Sequence, residues 1–335
     1  MSGELRAWVV EKIPDLADGD WAQVSGDASF RQYFRLSNAR RSVVAVHAPP
    51  EKEDSSTFIR VQALLARNGV PVPQLLAQDL ERGFMLQSDF GDCLLLDELN
   101  HRTAGQRYDQ AMQLLLKLQQ IDPPSEFPRY DYTFVSEESR LFKEWFIGGL
   151  LNYKLDREEI ESLTELDKIF FANGLEQPQV LVHRDFHSRN LMCLEDGSLG
   201  LIDFQDALIG PITYDLVSLL RDCYISWPED RVEAWVKRFR SKAFEGRLMS
   251  IVDDEGFIRW FDLTGLQRHI KVLGIFARLH LRDDKSAYLN DLNQVLEYTL
   301  AVSRKHRALA PFYEWFQRIL MPIIREQSWY QERTE

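Results

Sequence analysis

The stretch Leu181-Val182-His183-Arg184-Asp185-Phe186-His187-Ser188-Arg189-Asn190, followed across one more apolar run by Ile202-Asp203-Phe204-Gln205-Asp206, decides how this chain reads. Val180 to Val182 and Leu199 to Ile202 look like two core strands, and each runs into acids that a core does not want. Phosphoryl transfer asks for such groups: a carboxylate beside the accepting hydroxyl, then an amide oxygen and a second carboxylate able to hold a hard cation against phosphates. Asp185 is the candidate catalytic base, and Asn190 and Asp203 are the candidate ligands of Mg2+ beside ATP. A solvated loop between core strands would explain the apolar flanks but not the acid at the end of each. An HxD triplet is common by chance, whereas HxDxxxxN followed by a strand ending in Ile-Asp-Phe is rare.

Outward from this centre, the pattern changes character once. Trp21 to Val24, Phe30 to Leu36 and Val43 to Val46 carry β-branched and aromatic residues between turn-forming segments, which predicts an antiparallel meander, and Phe84 to Leu86 reads as a further apolar strand. Phe58, Val61, Leu64 and Leu65 recur at helical spacing until Asn68-Gly69. Beyond Asp92 the periodicity is mostly helical, with stripes such as Tyr108, Ala111, Met112, Leu115 and Leu118, and Leu216, Val217 and Leu220 behind a candidate cap at Thr213. The predicted class is α+β, with a strand-rich N-terminal lobe over 1–90 and a helix-rich C-terminal lobe over 91–335. A length of 335 residues suits two domains.

A net charge of -12 argues against a nucleic-acid partner, which would need clustered Lys and Arg. No apolar run reaches 18 residues and the first ten lack a signal-peptide core, so neither a membrane span nor secretion is expected. Cys93, Cys193 and Cys223 are odd in number and scattered, which fits buried thiols in a reducing cytoplasm.

These residues resemble the aminoglycoside phosphotransferase-like branch of the protein-kinase-like fold, which includes choline and other small-molecule kinases. His183 to Asn190, Ile202-Asp203-Phe204 and Tyr214-Asp215-Leu216 carry the likeness most strongly. More narrowly, Gly26 to Arg31, Ala48-Pro49-Pro50-Glu51, Gly69 to Pro73 and His183 to Met192 are similar to bacterial anomeric kinases of N-acetylmuramate and N-acetylglucosamine. The resemblance implies a bilobal protein-kinase-like fold, ATP and Mg2+ as cofactors, a small-molecule amino sugar as substrate, and sugar 1-phosphates made for cell-wall recycling. It also implies that Asp215 hydrogen-bonds the catalytic-loop backbone in a structural role, as does His183.

The nucleotide side is less orthodox. Ser25, Gly26, Ala28 and Ser29 sit where kinases place a phosphate-covering loop, and an ordinary hairpin turn is an equal reading. Val44-Ala45-Val46-His47 aligns with the strand that carries a phosphate-binding Lys, yet ends in His47. Either Arg31 or Arg35 supplies the missing charge, or His47 is simply a strand-end residue; the helix after Thr57 likewise lacks the Glu that would pair with such a Lys. Asp89-Phe90-Gly91 spells a metal-binding signature but precedes the catalytic loop, so the backbone groups around Gln87, Ser88 and Asp89 are read as the connector that hydrogen-bonds adenine. His187, Arg189, Arg221, Asp222 and Tyr224 are candidates for the substrate side; His187 and Arg189 read equally as solvated loop positions, and the last three as an exposed helix end. The competing functions are phosphorylation of an aminoglycoside or another small alcohol, and a nucleotide-binding pseudokinase.

Overall fold

A computed structural model describes residues 2–24 and 30–331. Ser25, Gly26, Ala28 and Ser29 lie outside the described residues. The chain divides into two compact units, Met1–Leu114 with Arg189–Asp206, and Leu115–Ser188 with Ala207–Glu335. The boundary expected at 90/91 falls inside the first unit, which also reclaims a later segment.

In the first unit, β1 (Asp20–Val24), β2 (Gln32–Ser37), β3 (Ser42–His47), β4 (Leu75–Asp79) and β5 (Phe84–Ser88) form one antiparallel sheet in the order β1-β2-β3-β5-β4. Side chains alternate along a strand, so the sheet has two distinct faces. Phe34, Leu36, Val43, Ala45, Phe84 and Leu86 share one face with Leu5, Trp8 and Val9 of helix α1 (Ser2–Lys12). Burying each of the larger side chains there contributes on the order of 1.5–3 kcal/mol. The opposite face carries Tyr33, Arg35, Val44, Val46, Met85 and Gln87, which the register places directly across from one another. Helix α2 (Ser55–Arg67) starts at Asp54, whose side chain accepts from Ser56 N–H at 2.9 Å, and stops at the predicted Asn68-Gly69, where Gly69 takes φ 71°.

The reclaimed segment is the hairpin of β7 (Leu191–Cys193) and β8 (Leu199–Leu201), taken here after β6 (Gln179–Val182) in chain order. Leu201 N–H donates to the Pro71 carbonyl at 2.8 Å, Leu94 bridges Met192, and the ring of Phe58 stacks on Phe204 at 4.9 Å. Phe90 fills the space over Gly200, where any Cβ would stand 2.5 Å from the ring.

In the second unit β6 pairs with β9 (Leu208–Pro211) from Gln179↔Pro211 to Val182↔Leu208. Helices α3 (Tyr132–Leu141), α4 (Arg157–Leu175) and the fully buried α5 (Tyr214–Leu220) all pack against the long α6 (Asp254–Asp283), and α4 also packs on β9. Thr213 precedes α5 as expected but does not cap it: its hydroxyl is engaged by Gln177 Oε1 at 2.7 Å. No helix among the described residues is long and apolar enough to cross a membrane.

Candidate active site

The catalytic segment follows β6 and is held by two carboxylates from the ends of α5. Asp215, in the first turn of α5, accepts the backbone N–H of His183 at 2.6 Å and of Arg184 at 2.9 Å. Asp222, just past the last turn, accepts both the N–H of Ser188 at 2.9 Å and its hydroxyl at 2.5 Å, and the N–H of Tyr224 at 3.1 Å. Asp185 lies between these two anchors, and its own N–H donates to His183 Nδ1 at 3.3 Å. Arg184 takes φ 80°, a conformation that costs a non-glycine residue on the order of 1–3 kcal/mol. That cost is offset by Asp215 on its N–H and by Arg268, which donates to its carbonyl at 3.1 Å.

Arg268 also faces Asp185 at 3.6 Å, and its guanidinium lies over the Tyr214 ring. Burial works to raise the Asp185 carboxyl, but Lys271, Arg268, His187 and Arg184 outweigh it and hold the group well below the usual carboxylate range. Burial pushes Asp215 the other way, up to about 7, against its two backbone donors. Behind the loop, Glu138 gathers Lys271 at 2.7 Å, the Tyr214 hydroxyl at 3.0 Å and Gln267 at 3.1 Å, and Gln267 accepts from the Tyr130 hydroxyl at 2.5 Å. None of Arg268, Lys271 and Glu138 was picked out by the sequence reading.

The substrate-side candidates separate here. Arg221 is not an exposed helix end but a buried ion pair, bonded to Glu229 at 2.5 Å and Asp262 at 2.8 Å. Asp222 is likewise buried and committed to the loop. Tyr224 stands edge-on to His187 at 5.5 Å, and His187 Nδ1 is buried with no hydrogen-bond partner. Arg189 is half-buried at the start of the segment that belongs to the first unit.

Within the first unit the hairpin brings Asn190 and Asp203 together: Leu191 pairs with Leu201, and Ile202 N–H donates to the Asn190 carbonyl at 3.1 Å. Asp203 is exposed, takes φ 63° and accepts from Gln205 at 2.8 Å. An amide oxygen and a carboxylate are hard donors that suit Mg2+, which usually keeps waters and phosphate oxygens for its remaining positions. No cluster of three or more acidic, His or Cys side chains that could hold a metal occurs among the described residues.

On the nucleotide side the face of the sheet decides. Arg31 is buried, 3.3 Å from Glu53 and over the Phe58 ring. Burial pushes the Tyr33 phenol up, and Tyr33 feels both Arg31 and Asp203, so these three groups lie together on the face away from α1. Gln87 shares that face, with its Nε2 buried and unpartnered; its backbone sits inside the sheet between β3 and β4 rather than in a free connector. His47 faces the other way. It shares the side of Val43 and Ala45, stands edge-on to Phe84, and burial lowers its pKa, so it offers no positive charge to a phosphate. Arg35 is spent on Asp89 at 2.6 Å and Asp92 at 2.7 Å, so its charge is held at the end of β5. The cysteines differ from expectation too: Cys93 is exposed, Cys193 half-buried, and only Cys223 buried.

A five-stranded antiparallel sheet, a two-point-anchored HxDxxxxN loop and a hairpin ending in Ile-Asp-Phe define a protein-kinase-like phosphotransferase. The model of the phosphotransferase enzyme family matches residues 20–254, and the chain belongs to that family. It is 41% identical over 313 residues to the N-acetylmuramate/N-acetylglucosamine kinase of Pseudomonas aeruginosa, covering 90% of this chain and 92% of that protein. Choline kinase from Streptococcus pneumoniae shares the fold with a TM-score of 0.64 at 13% identity, over 89% of this chain and 99% of that one. An ADP-bound aminoglycoside phosphotransferase does so with a TM-score of 0.60 at 14% identity, over 89% and 98%.

Proposed function

We propose that this chain is an ATP- and Mg2+-dependent sugar kinase that phosphorylates the anomeric hydroxyl of N-acetylmuramate and N-acetylglucosamine. The observation that carries the reading is the 41% identity, over nine-tenths of the chain, to a kinase of that name. The sugar 1-phosphates would feed cell-wall recycling in the cytoplasm. When bound, ATP supplies the γ-phosphoryl group and Mg2+ offsets charge on the phosphates.

Asp185 accepts a hydrogen bond from the sugar hydroxyl and orients it. Its carboxyl is held low chiefly by the Lys271 and Arg268 cations, so it stays ionised at neutral pH and takes the proton late. That suits a loose transition state and an anomeric hydroxyl, which the ring oxygen makes more acidic than an ordinary alcohol. Asn190 and Asp203 would hold the metal, Arg31 would supply the cation that His47 does not, and Gln87 Nε2 would offer a donor to the base. His187, Tyr224 and Arg189 face the sugar. Phosphorus NMR after incubation with ATP, Mg2+ and either sugar should show a hexosamine 1-phosphate. A 6-phosphate, turnover with aminoglycosides alone, or no turnover at all would overturn the proposal.

A further inference from the structure

Two of the three cysteines, a hundred positions apart in the chain (193 minus 93), meet across a strand edge. Leu94 and Met192 form an isolated antiparallel bridge, and Cys193 N–H donates to the Cys93 carbonyl at 2.8 Å. Cys93 and Cys193 are therefore a directly opposed, hydrogen-bonded pair. Such pairs hold their Cα atoms ~5.5 Å apart, inside the ~4.4–6.8 Å that a disulfide spans, and project their side chains to one face. Cys93 is exposed, with Sγ 3.8 Å from a Glu98 carboxylate oxygen. Cys193 is half-buried, and burial together with the neighbouring Cys93 thiol pushes its own thiol up to about 11.

We propose that Cys93 and Cys193 close to a reversible disulfide, with a low-molecular-weight disulfide such as glutathione disulfide as the oxidant. The Cys93 thiolate attacks one sulfur of the reagent and expels a first thiolate. Cys193 then gives up its proton and attacks the Cys93 sulfur of the mixed disulfide, expelling a second. The protein loses two electrons and two protons, and the reagent leaves as two thiols. The bond lies three residues past Asn190, on the hairpin whose other strand leads to Asp203. An opposed hydrogen-bonded pair holds its Cβ atoms ~5.5 Å apart, against the ~3.5–4.5 Å of a disulfide, so closing the bond draws β7 in by on the order of 1 Å, and a misplacement of ~1 Å costs a catalytic site up to ~10²-fold in rate.

The full-length protein is incubated with glutathione disulfide, quenched by alkylation and digested. The expected result is a linked peptide joining Cys93 to Cys193, one of the three thiols left after unfolding, and turnover reduced at least about tenfold and restored by dithiothreitol. Cys93→Ser should form no linked peptide and keep its turnover through the same treatment. Separate glutathione adducts on the two cysteines, or a linked peptide with unchanged turnover, would overturn the proposal. The turnover arm rests on the kinase reading, whereas the thiol count and the linked peptide stand without it, so the two failures are distinguishable.

Discussion

Replacing Asp222 with asparagine tests whether the catalytic loop needs its second anchor. The carboxylate satisfies three donors, two on Ser188 and one on Tyr224, from a buried position. An amide has one acceptor oxygen and a donor in place of the other, so at least one buried N–H loses its partner and the remaining bonds lose charge assistance. With about 1–3 kcal/mol for an orphaned buried donor and about 1 kcal/mol for each of the two weakened bonds, the loss is on the order of 3–5 kcal/mol. Ser188→Ala removes the hydroxyl bond alone, at about 1.5–3 kcal/mol. The hydroxyl bond cannot be lost twice, so the double variant should fall short of the sum by about 1 kcal/mol or more in urea unfolding. The kcat should drop by about 10- to 100-fold because Asp185 sits between the two anchors, with ATP affinity within about twofold. Additive stabilities together with an unchanged kcat would show that Asp222 merely fills space and that Asp215 alone sets the loop.

What was legible in the sequence was what is local along the chain. Alternation in Phe34, Arg35 and Leu36 gives a half-buried strand, and four residues between Asp185 and Asn190 give the spacing of a catalytic loop. The apolar residues Leu5, Trp8 and Val9, at i, i+3 and i+4, also carried a helix signal that the emphasis on strands passed over. Contacts between distant segments were not legible. Arg268 and Lys271 look like the polar side of an amphipathic helix, yet both are buried because Asp185, Glu138 and Tyr214 wait for them. Asp222 looked like a helix end for the same reason. His47 is a subtler case: Val44-Ala45-Val46 aligns with a kinase strand and leaves the fourth position open, and only the sheet register places that side chain on the α1 face.

Asp185→Asn should lower turnover by about 10²- to 10⁴-fold while calorimetry shows ATP binding within twofold of wild type; turnover within threefold would remove Asp185 from the chemistry. Asp203→Asn should move the midpoint of a magnesium titration up by about tenfold, and coincident curves would reject it as a ligand. Burial raises Asp262, but His306, Arg221 and Lys305 hold it down at about 2, below its unfolded value near ~3.9. The group therefore contributes about 2 kcal/mol that is fully present above pH ~4 and lost as pH falls through about 2, so Asp262→Asn should flatten that limb of urea stability. The last pair of variants separates sequence alignment from sheet geometry. Arg31→Ala should raise the KM for ATP by about tenfold, since it removes the cation that lies with Tyr33 and Asp203. His47→Lys restores the letter a kinase strand would carry, but places an ammonium against Phe84, beside Trp8, where burial already keeps the imidazole neutral. It should therefore destabilise the protein by on the order of 2 kcal/mol or more and leave ATP affinity no tighter. A stable His47→Lys protein that binds ATP more tightly would mean that this strand presents its fourth position to the nucleotide after all.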